Sequence, residues 1–232
     1  MIPDAWFRWA FALYARRLLA RHAAIVRRRG VLPKRGERVL YLVNHSSWWD
    51  ALVVVLLSRE IGGDQLALMG EAGLRQFPFF GRLGALSVPA SRGPREVLRL
   101  FRQVRARVDA GAQVWMFPQG EQRHPDVQPL GFERGADVLA RTLAPCRVVP
   151  IALRWETWRW QHPELLVSIG EPLEVAGDLK PGALEELLAR EVSTLRSDCI
   201  AQRTDNFATW IRGRSSVSDV WLAAKSTVQE RG

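Results

Sequence analysis

Cysteine is scarce in this sequence, whose two cysteines, Cys146 and Cys199, stand far apart. Thiolate metal sites and disulfide frameworks need several cysteines at short, regular spacings, so both are excluded. His124 and His162 also lack the spacing of metal ligands, and no metal is expected. The cysteine content is typical of a protein in a reducing compartment.

Long apolar runs are missing as well. No stretch reaches about 18 uninterrupted apolar residues, so no membrane span is predicted. Arginines interrupt the apolar N-terminal region and no small-residue cleavage site follows it, which argues against a cleavable signal peptide. With 47% apolar and 25% charged residues, the composition is that of a globular protein with a substantial core.

Lysine is rare: the 33 basic residues include only Lys34, Lys180 and Lys225. The net charge of +9 indicates anionic partners, namely a phospholipid surface, a phosphate-bearing substrate or nucleic acid. Arginine suits phosphate because it binds it in a bidentate manner, although a GC-rich genome would also enrich arginine. Nucleic acid is not favoured, because no recognised nucleic-acid motif accompanies the arginines.

The N-terminal region combines bulky aromatic residues with arginines. Trp6, Trp9 and Phe11 belong to a helical pattern over residues 6–29, which ends in a triple arginine, residues 27–29. This composition predicts an amphipathic helix, in residues 1–30, that lies in a membrane interface with its arginines facing lipid phosphates. The alternative is a helix that packs on the domain and solvates its arginines. The interfacial reading predicts a peripheral protein on the cytoplasmic face of an anionic membrane.

Strand-like and helix-like segments alternate through the rest of the chain. This order predicts an α/β fold with a mostly parallel central sheet flanked by helices, a core in residues 31–175 and a C-terminal helical extension in residues 176–232. The predicted strands are residues 39–43, 65–69, 86–88, 113–117, 148–154 and 165–169. The predicted helices are residues 50–59, 94–108, 136–143, 182–199, 205–211 and 218–228.

A histidine and an aspartate flank the junction between the first core strand and its helix. In the stretch LVNHSSWWD, His45 follows the strand and Asp50 lies about one turn into the helix. A carboxylate on Nδ1 would leave Nε2 free to take a proton, although a polar pair in a turn is the ordinary alternative. The sequence has no Gly-x-Ser-x-Gly nucleophile elbow, so such a pair would activate a substrate hydroxyl or a water.

Three further stretches have the composition of site loops. One contains Phe80, Gly81 and Arg82, with Arg92 ten residues on, and its two arginines could converge on one anion or be solvated separately. The second follows a strand and reads Phe117-Pro118-Gln119-Gly120-Glu121-Gln122-Arg123. The third places Pro150 inside an apolar run, which indicates an edge strand or a special loop approach.

Taken in order, the four stretches resemble the motifs of the glycerolipid (lysophospholipid) acyltransferase superfamily, which includes the bacterial 1-acylglycerol-3-phosphate acyltransferases. Asn44, His45 and Asp50 match its Asn-His-x4-Asp motif. The other family motifs are Phe-x-Gly-Arg with a later arginine, Phe-Pro-Glu-Gly-Thr-Arg followed by Phe-x-x-Gly, and apolar-Pro-apolar. The resemblance covers roughly residues 40–173.

The resemblance implies an O-acyltransferase in which His45 takes a proton from a lipid hydroxyl and Asp50 orients the imidazole. The donor would be a thioester, acyl-CoA or acyl-carrier protein, and no cofactor would be needed. Oxyanion donors would be backbone amides near Gly120. The implied acceptor-binding residues are Arg82, Arg92, Gln119, Gly120, Glu121 and Arg123. Other motif residues are Asn44, Phe80, Gly81, Phe117, Pro118 and Pro150.

The third motif departs from the family pattern. Gln119 replaces a glutamate, Glu121 a threonine and Gln122 an arginine, with Arg123 one place later. A carboxylate repels phosphate, so the departure favours a glycosylated or otherwise uncharged lipid alcohol as acceptor, unless the remaining arginines restore a phosphate site. A hydrolase using the same pair on water and a non-catalytic membrane-bound relative are the alternatives.

Overall fold

The computed structural model describes residues 4–89, 93–158, 160–214 and 217. The predicted site residue Arg92 and the helix predicted over residues 218–228 lie outside the described residues. The helices of the described part are α1 Asp4–His22, α2 Asp50–Ile61, α3 Glu71–Gln76, α4 Phe79–Arg82, α5 Pro94–Asp109, α6 Gly135–Leu143 and α7 Ala183–Ile200. Its strands are β1 Ile25–Arg29, β2 Val39–Val43, β3 Gln65–Gly70, β4 Ala85–Val88, β5 Gln113–Met116, β6 Cys146–Glu156, β7 Glu164–Ile169, β8 Leu173–Val175 and β9 Ala208–Arg212.

One sheet contains all of these strands. Its order is β4-β3-β5-β2-β6-β7-β1-β9, and β8 pairs with β6 beside β7. The pairs from β4 to β6 and the β1–β7 pair are parallel, whereas β6–β7, β6–β8 and β1–β9 are antiparallel. The predicted α/β class is therefore confirmed, with a sheet that is mixed at one side. All six strands predicted for the core are present.

Helices cover both faces of the sheet, which explains why β2 is buried along its whole length. On one face, α1 and α2 pack with Leu19 and Val53 in their core. On the other, α5, α6 and α7 pack with Phe101, Leu139 and Leu188. A strand that is buried on both faces has a continuous apolar sequence, and β2, Val-Leu-Tyr-Leu-Val, has one.

The single N-terminal helix predicted over residues 6–29 is wrong in its second part. Helix α1 ends at His22, and residues 25–29 form β1 between β7 and β9. Arg27 pairs with the buried Glu164, and Arg29 with Asp198. These arginines are thus held inside the protein rather than directed at lipid.

The C-terminal prediction is also corrected. The segment predicted as a helix over residues 205–211 contains the edge strand β9, which pairs antiparallel with β1. Helix α7 is confirmed, and its buried residues Leu184, Leu188 and Val192 pack on the sheet. The short elements α3, α4 and β8 were not predicted from the sequence.

Pro150 lies in β6, which is a central strand, so the predicted edge position is wrong. Strand β6 pairs with β8 up to Val148 and with β7 from Ile151 onward. Pro150 lies where the partner changes, and its carbonyl accepts a hydrogen bond from the backbone N–H of Gly170 at 2.9 Å. Pro150 is in register with Leu42 of β2 on one side, and the missing N–H is tolerated because on the other side neither β7 nor β8 pairs with this position.

Candidate active site

The end of β2 and the start of α2 bring His45 and Asp50 together. Nδ1 of His45 lies 2.9 Å from Oδ2 of Asp50. The backbone N–H groups of Ser46 and Ser47 donate to the same oxygen at 2.7 and 2.8 Å, and the Ser47 hydroxyl donates to Oδ1 at 2.7 Å. The five-residue spacing thus folds into a tight turn closed by the carboxylate.

The two side chains of this pair differ in exposure. That of Asp50 is 0% exposed and that of His45 is 19% exposed. The buried carboxylate is satisfied by several donors, as a charged group in a protein interior must be. It orients the imidazole through Nδ1, which leaves Nε2 as the ring nitrogen that can exchange a proton with a bound molecule.

A loop that follows β5, residues 117–123, holds His45 from the other side. The ring of Phe117 stacks on the imidazole at a centroid distance of 4.4 Å. The His45 N–H donates to Oε1 of Gln119 at 2.7 Å, and the N–H of Arg123 donates to the His45 carbonyl at 2.9 Å. Both peptide groups and the ring of His45 are therefore fixed by this loop.

Asn44 anchors the same turn to the centre of the sheet. Its amide makes two hydrogen bonds to one residue of β6: Nδ2 donates to the Leu153 carbonyl at 3.0 Å, and the Leu153 N–H donates to Oδ1 at 2.7 Å. The side chain is buried, where each such bond contributes about 0.5–1.5 kcal/mol. The sequence motif had singled out Asn44 without indicating this role.

A cavity of about 310 Å³ opens beside His45. Most of its lining is apolar and comes from α2, β3, α4 and β5, for example Val54, Leu68, Phe80 and Trp115. Among its described lining residues there is no arginine or lysine, and Glu121 is the residue of formal charge beside the imidazole. The cavity therefore suits an apolar group.

Helix α1 engages Arg82, one of the two predicted acceptor arginines. The Arg82 guanidinium pairs with Asp4 at 3.1 Å and lies over the ring of Phe7, 4.1 Å from its centroid. Nε of Arg8 donates to the Arg82 carbonyl at 3.1 Å. Gly81 is exposed beside it on the short helix α4. Arg82 is thus tied to the N-terminal helix, and it is not among the residues that line the cavity.

The third-motif residues lie close to His45, but they do not share one role. Gln119 is only 4% exposed, and its Nε2 donates to the Leu130 carbonyl at 3.4 Å, so both ends of its amide are bonded within the protein. Arg123 pairs with Glu121 at 2.9 Å. The N–H of Gly120 donates to the Phe117 carbonyl at 3.2 Å, so this amide is occupied within the turn.

A family model described as acyltransferase matches residues 24–154, which is more than half of the chain and includes both members of the His45–Asp50 pair. The chain belongs to the acyltransferase family. Its structure is similar to the crystal structure of the 1-acyl-sn-glycerophosphate (LPA) acyltransferase PlsC from Thermotoga maritima, with a TM-score of 0.61 and 17% sequence identity over 84% of this chain and 81% of that chain. At 17% identity, this similarity shows that the two proteins share a fold and shows nothing further about this chain.

The residues that line the cavity were largely missed by sequence reasoning. From the sequence, the apolar residues just past His45, namely Trp48, Trp49 and Leu52, are candidates for lining an acyl tunnel, with ordinary core packing favoured for Leu52. Leu52 is buried in the core, Trp49 contacts Trp155, and none of the three lines the cavity. The available signal was the run of small and apolar residues after Gln65, because this strand, β3, pairs with β5, whose loop holds His45. Among the described residues, no helix is long and apolar enough to cross a bilayer.

Proposed function

We propose that this acyltransferase moves a fatty acyl group from a thioester donor, acyl-CoA or acyl-carrier protein, to a hydroxyl of a lipid acceptor. The observation that carries the proposal is the pairing of the accessible imidazole of His45 with the buried carboxylate of Asp50. A histidine held in this way beside an apolar cavity has the geometry of a general base for a hydroxyl group.

His45 acts through Nε2. Because Oδ2 of Asp50 accepts the Nδ1–H, Nε2 is free to take the proton of the acceptor hydroxyl. The oxygen then attacks the thioester carbonyl and forms a tetrahedral oxyanion. When the intermediate collapses, the C–S bond breaks and the imidazolium returns its proton to the leaving thiolate, so the products are an ester and a free thiol.

The oxyanion would be stabilised by backbone amides of the loop after β5. Within the described part of the chain, the N–H groups of Glu121 and Gln122 make no hydrogen bond, whereas those of Gly120 and Arg123 are occupied. Gly120 and Glu121 line the cavity together with His45. Two unoccupied amides next to the general base suit the developing negative charge.

The apolar cavity would hold the acyl chain. Its lining by α2 and β3 offers no charged group along its length except at the end where His45 and Glu121 lie. The carbonyl carbon of a bound acyl thioester would then lie at the imidazole, with the chain directed between α2 and β3.

The acceptor is proposed to be an uncharged lipid alcohol, such as a glycosylated lipid, rather than a lysophospholipid with a terminal phosphate. The two described arginines considered for a phosphate, Arg82 and Arg123, are paired with Asp4 and Glu121. Glu121 itself adds negative charge at the cavity. A phosphate at this position would therefore have to compete with two existing ion pairs.

Replacing the general base tests the reaction. His45→Ala should lower kcat by about 10²–10⁴-fold without loss of folding, whereas His162→Ala, which changes a histidine that does not line the cavity, should leave kcat unchanged. Product analysis with and without an acceptor alcohol separates transfer from hydrolysis, since a hydrolase releases free fatty acid in both cases. Near wild-type transfer by His45→Ala would show that this residue is not the base.

A matched pair of acceptors tests the substrate class. Monoacylglycerol and lysophosphatidate with the same acyl chain differ only in the phosphate, and the ratio of their kcat/KM values with one donor reports differential transition-state binding. We expect the uncharged acceptor to have the higher value. A tenfold preference for lysophosphatidate, about 1.4 kcal/mol, would contradict the proposal.

A further inference from the structure

The side chain of Gln119 continues the β2–β5 ladder after its backbone pairing has ended. Leu42 and Met116 form the last registered pair between these strands. Two residues beyond the end of β2, the N–H of His45 donates to the side-chain oxygen of Gln119 at 2.7 Å. The side chain thus supplies the acceptor that a neighbouring strand would otherwise provide.

Burial makes this contact specific. Gln119 is enclosed between the two strand ends, and its Nε2 donates to the Leu130 carbonyl on the far side of the loop. The other contacts of His45, with Phe117 and the N–H of Arg123, come from the same loop. Displacement of the Gln119 oxygen would leave a partly buried N–H unpaired at the residue that carries the imidazole, which is unfavourable.

We infer that Gln119 is a positioning residue for the general base, acting through the peptide N–H of His45 rather than on the acceptor. This role rests on the proposed function of His45. It requires an oxygen acceptor and not a neutral amide, so a glutamate, which stands here in the family pattern, would satisfy it equally. The exchange of glutamate for glutamine in this chain therefore does not by itself select the acceptor.

Two variants of Gln119 isolate this hydrogen bond. Gln119→Met and Gln119→Glu both lose the donor to Leu130, but only glutamate keeps an oxygen for the His45 N–H. We expect Gln119→Met to lower kcat by roughly 10–100-fold with KM for the acceptor nearly unchanged, and Gln119→Glu to retain kcat within a few-fold of wild type.

Hydrogen exchange at the His45 amide gives a readout that does not depend on catalysis. By NMR, this amide should be protected in wild type and in Gln119→Glu and should exchange at least tenfold faster in Gln119→Met. If the amide behaves so while His45→Ala keeps its activity, the proposed function fails and the positioning contact stands. Equal loss of kcat in both variants, unchanged exchange in Gln119→Met, or a rise in acceptor KM alone would overturn the inference.

Discussion

Asp50 organises four donors with one carboxylate. It accepts hydrogen bonds from Nδ1 of His45, from the backbone N–H groups of Ser46 and Ser47 and from the Ser47 hydroxyl. A single residue therefore shapes the turn and orients the imidazole. This double role distinguishes Asp50 from His45, whose ring is partly exposed and stacks only on Phe117 among the described aromatic residues.

The double role leads to a prediction for Asp50→Asn. The amide would turn an N–H toward donors that need an acceptor, so the variant should lose about 1–3 kcal/mol of unfolding free energy in addition to a large fraction of kcat. Urea unfolding and kcat, measured together, check this. His45→Ala should lose activity but less than about 1 kcal/mol of stability, and equal destabilisation by the two variants would count against the role of Asp50 in the turn.

Helix α1 presents an aromatic surface to solvent. Trp6, Trp9 and Tyr14 are 54%, 48% and 54% exposed, and Arg17 and Arg21 are exposed farther along the helix. Aromatic side chains beside arginines suit the interface of an anionic bilayer. Since Arg27 and Arg29 are paired inside the protein, the binding surface is expected to end with α1.

The membrane prediction is tested by Trp6→Ser/Trp9→Ser. This double variant should bind anionic liposomes several-fold more weakly in sedimentation, with a further loss at high salt because the arginine contribution is screened. Val31→Ser/Ile200→Ser removes exposed apolar side chains outside α1 and serves as the control. A truncation must stop before residue 25, because β1 is an inner strand of the sheet. Equal sedimentation of wild type, Trp6→Ser/Trp9→Ser and Val31→Ser/Ile200→Ser would exclude α1 as the membrane contact.

Local patterns predicted the core elements but not the elements that depend on distant partners. Six strands and helices α2, α5, α6 and α7 follow from apolar periodicity and flanking turn residues. Strand β1 was missed because its arginines read as the end of a helix. Their partners, Glu164 and Asp198, are 137 and 169 residues away, so no local window contains the reason for the strand.

The sequence predicted which residues form the candidate site better than it predicted how they are arranged. The His45–Asp50 pair followed from its position between a strand and a helix, and the structure brings the pair together. The sequence did not predict that the side chain of Gln119 is buried or that Arg82 pairs with Asp4 of α1. Loop side chains have no periodicity that assigns them to a face, so their direction is set by tertiary contacts.

The ion pairs around β1 affect the acid stability of the whole molecule. Burial raises the pKa of Asp198, but hydrogen bonds from Arg29 and Arg203 outweigh it and hold the pKa below its ordinary value. A lowered folded-state pKa contributes stability above the unfolded value of about 3.9, and this contribution is lost as the pH falls through the folded value.

Asp198→Asn should therefore destabilise the protein by about 1–3 kcal/mol at pH 7, and the difference from wild type should shrink below about pH 4. Urea unfolding at pH 7, 5 and 3.5 measures it. Asp205→Asn, which changes an exposed carboxyl, should show no such difference. A gap between wild type and Asp198→Asn that stays constant with pH would contradict the linkage.

The position of β1 in the sheet also determines how late the sheet can be completed while the chain is being synthesised. The described residues whose hydrogen bonds and ring contacts hold His45 and Asp50 have all been made by the time β6 is complete, but β1 needs β7 and β9 as neighbours. Arg27 precedes Glu164 by 137 residues, which is about 7–27 s of translation at about 5–20 residues per second. During that interval the nascent chain carries Arg27 and Arg29 without their final partners, Glu164 and Asp198. A nascent chain arrested after β6 would thus hold an assembled His45–Asp50 pair on a sheet that still lacks β7, β8 and β9.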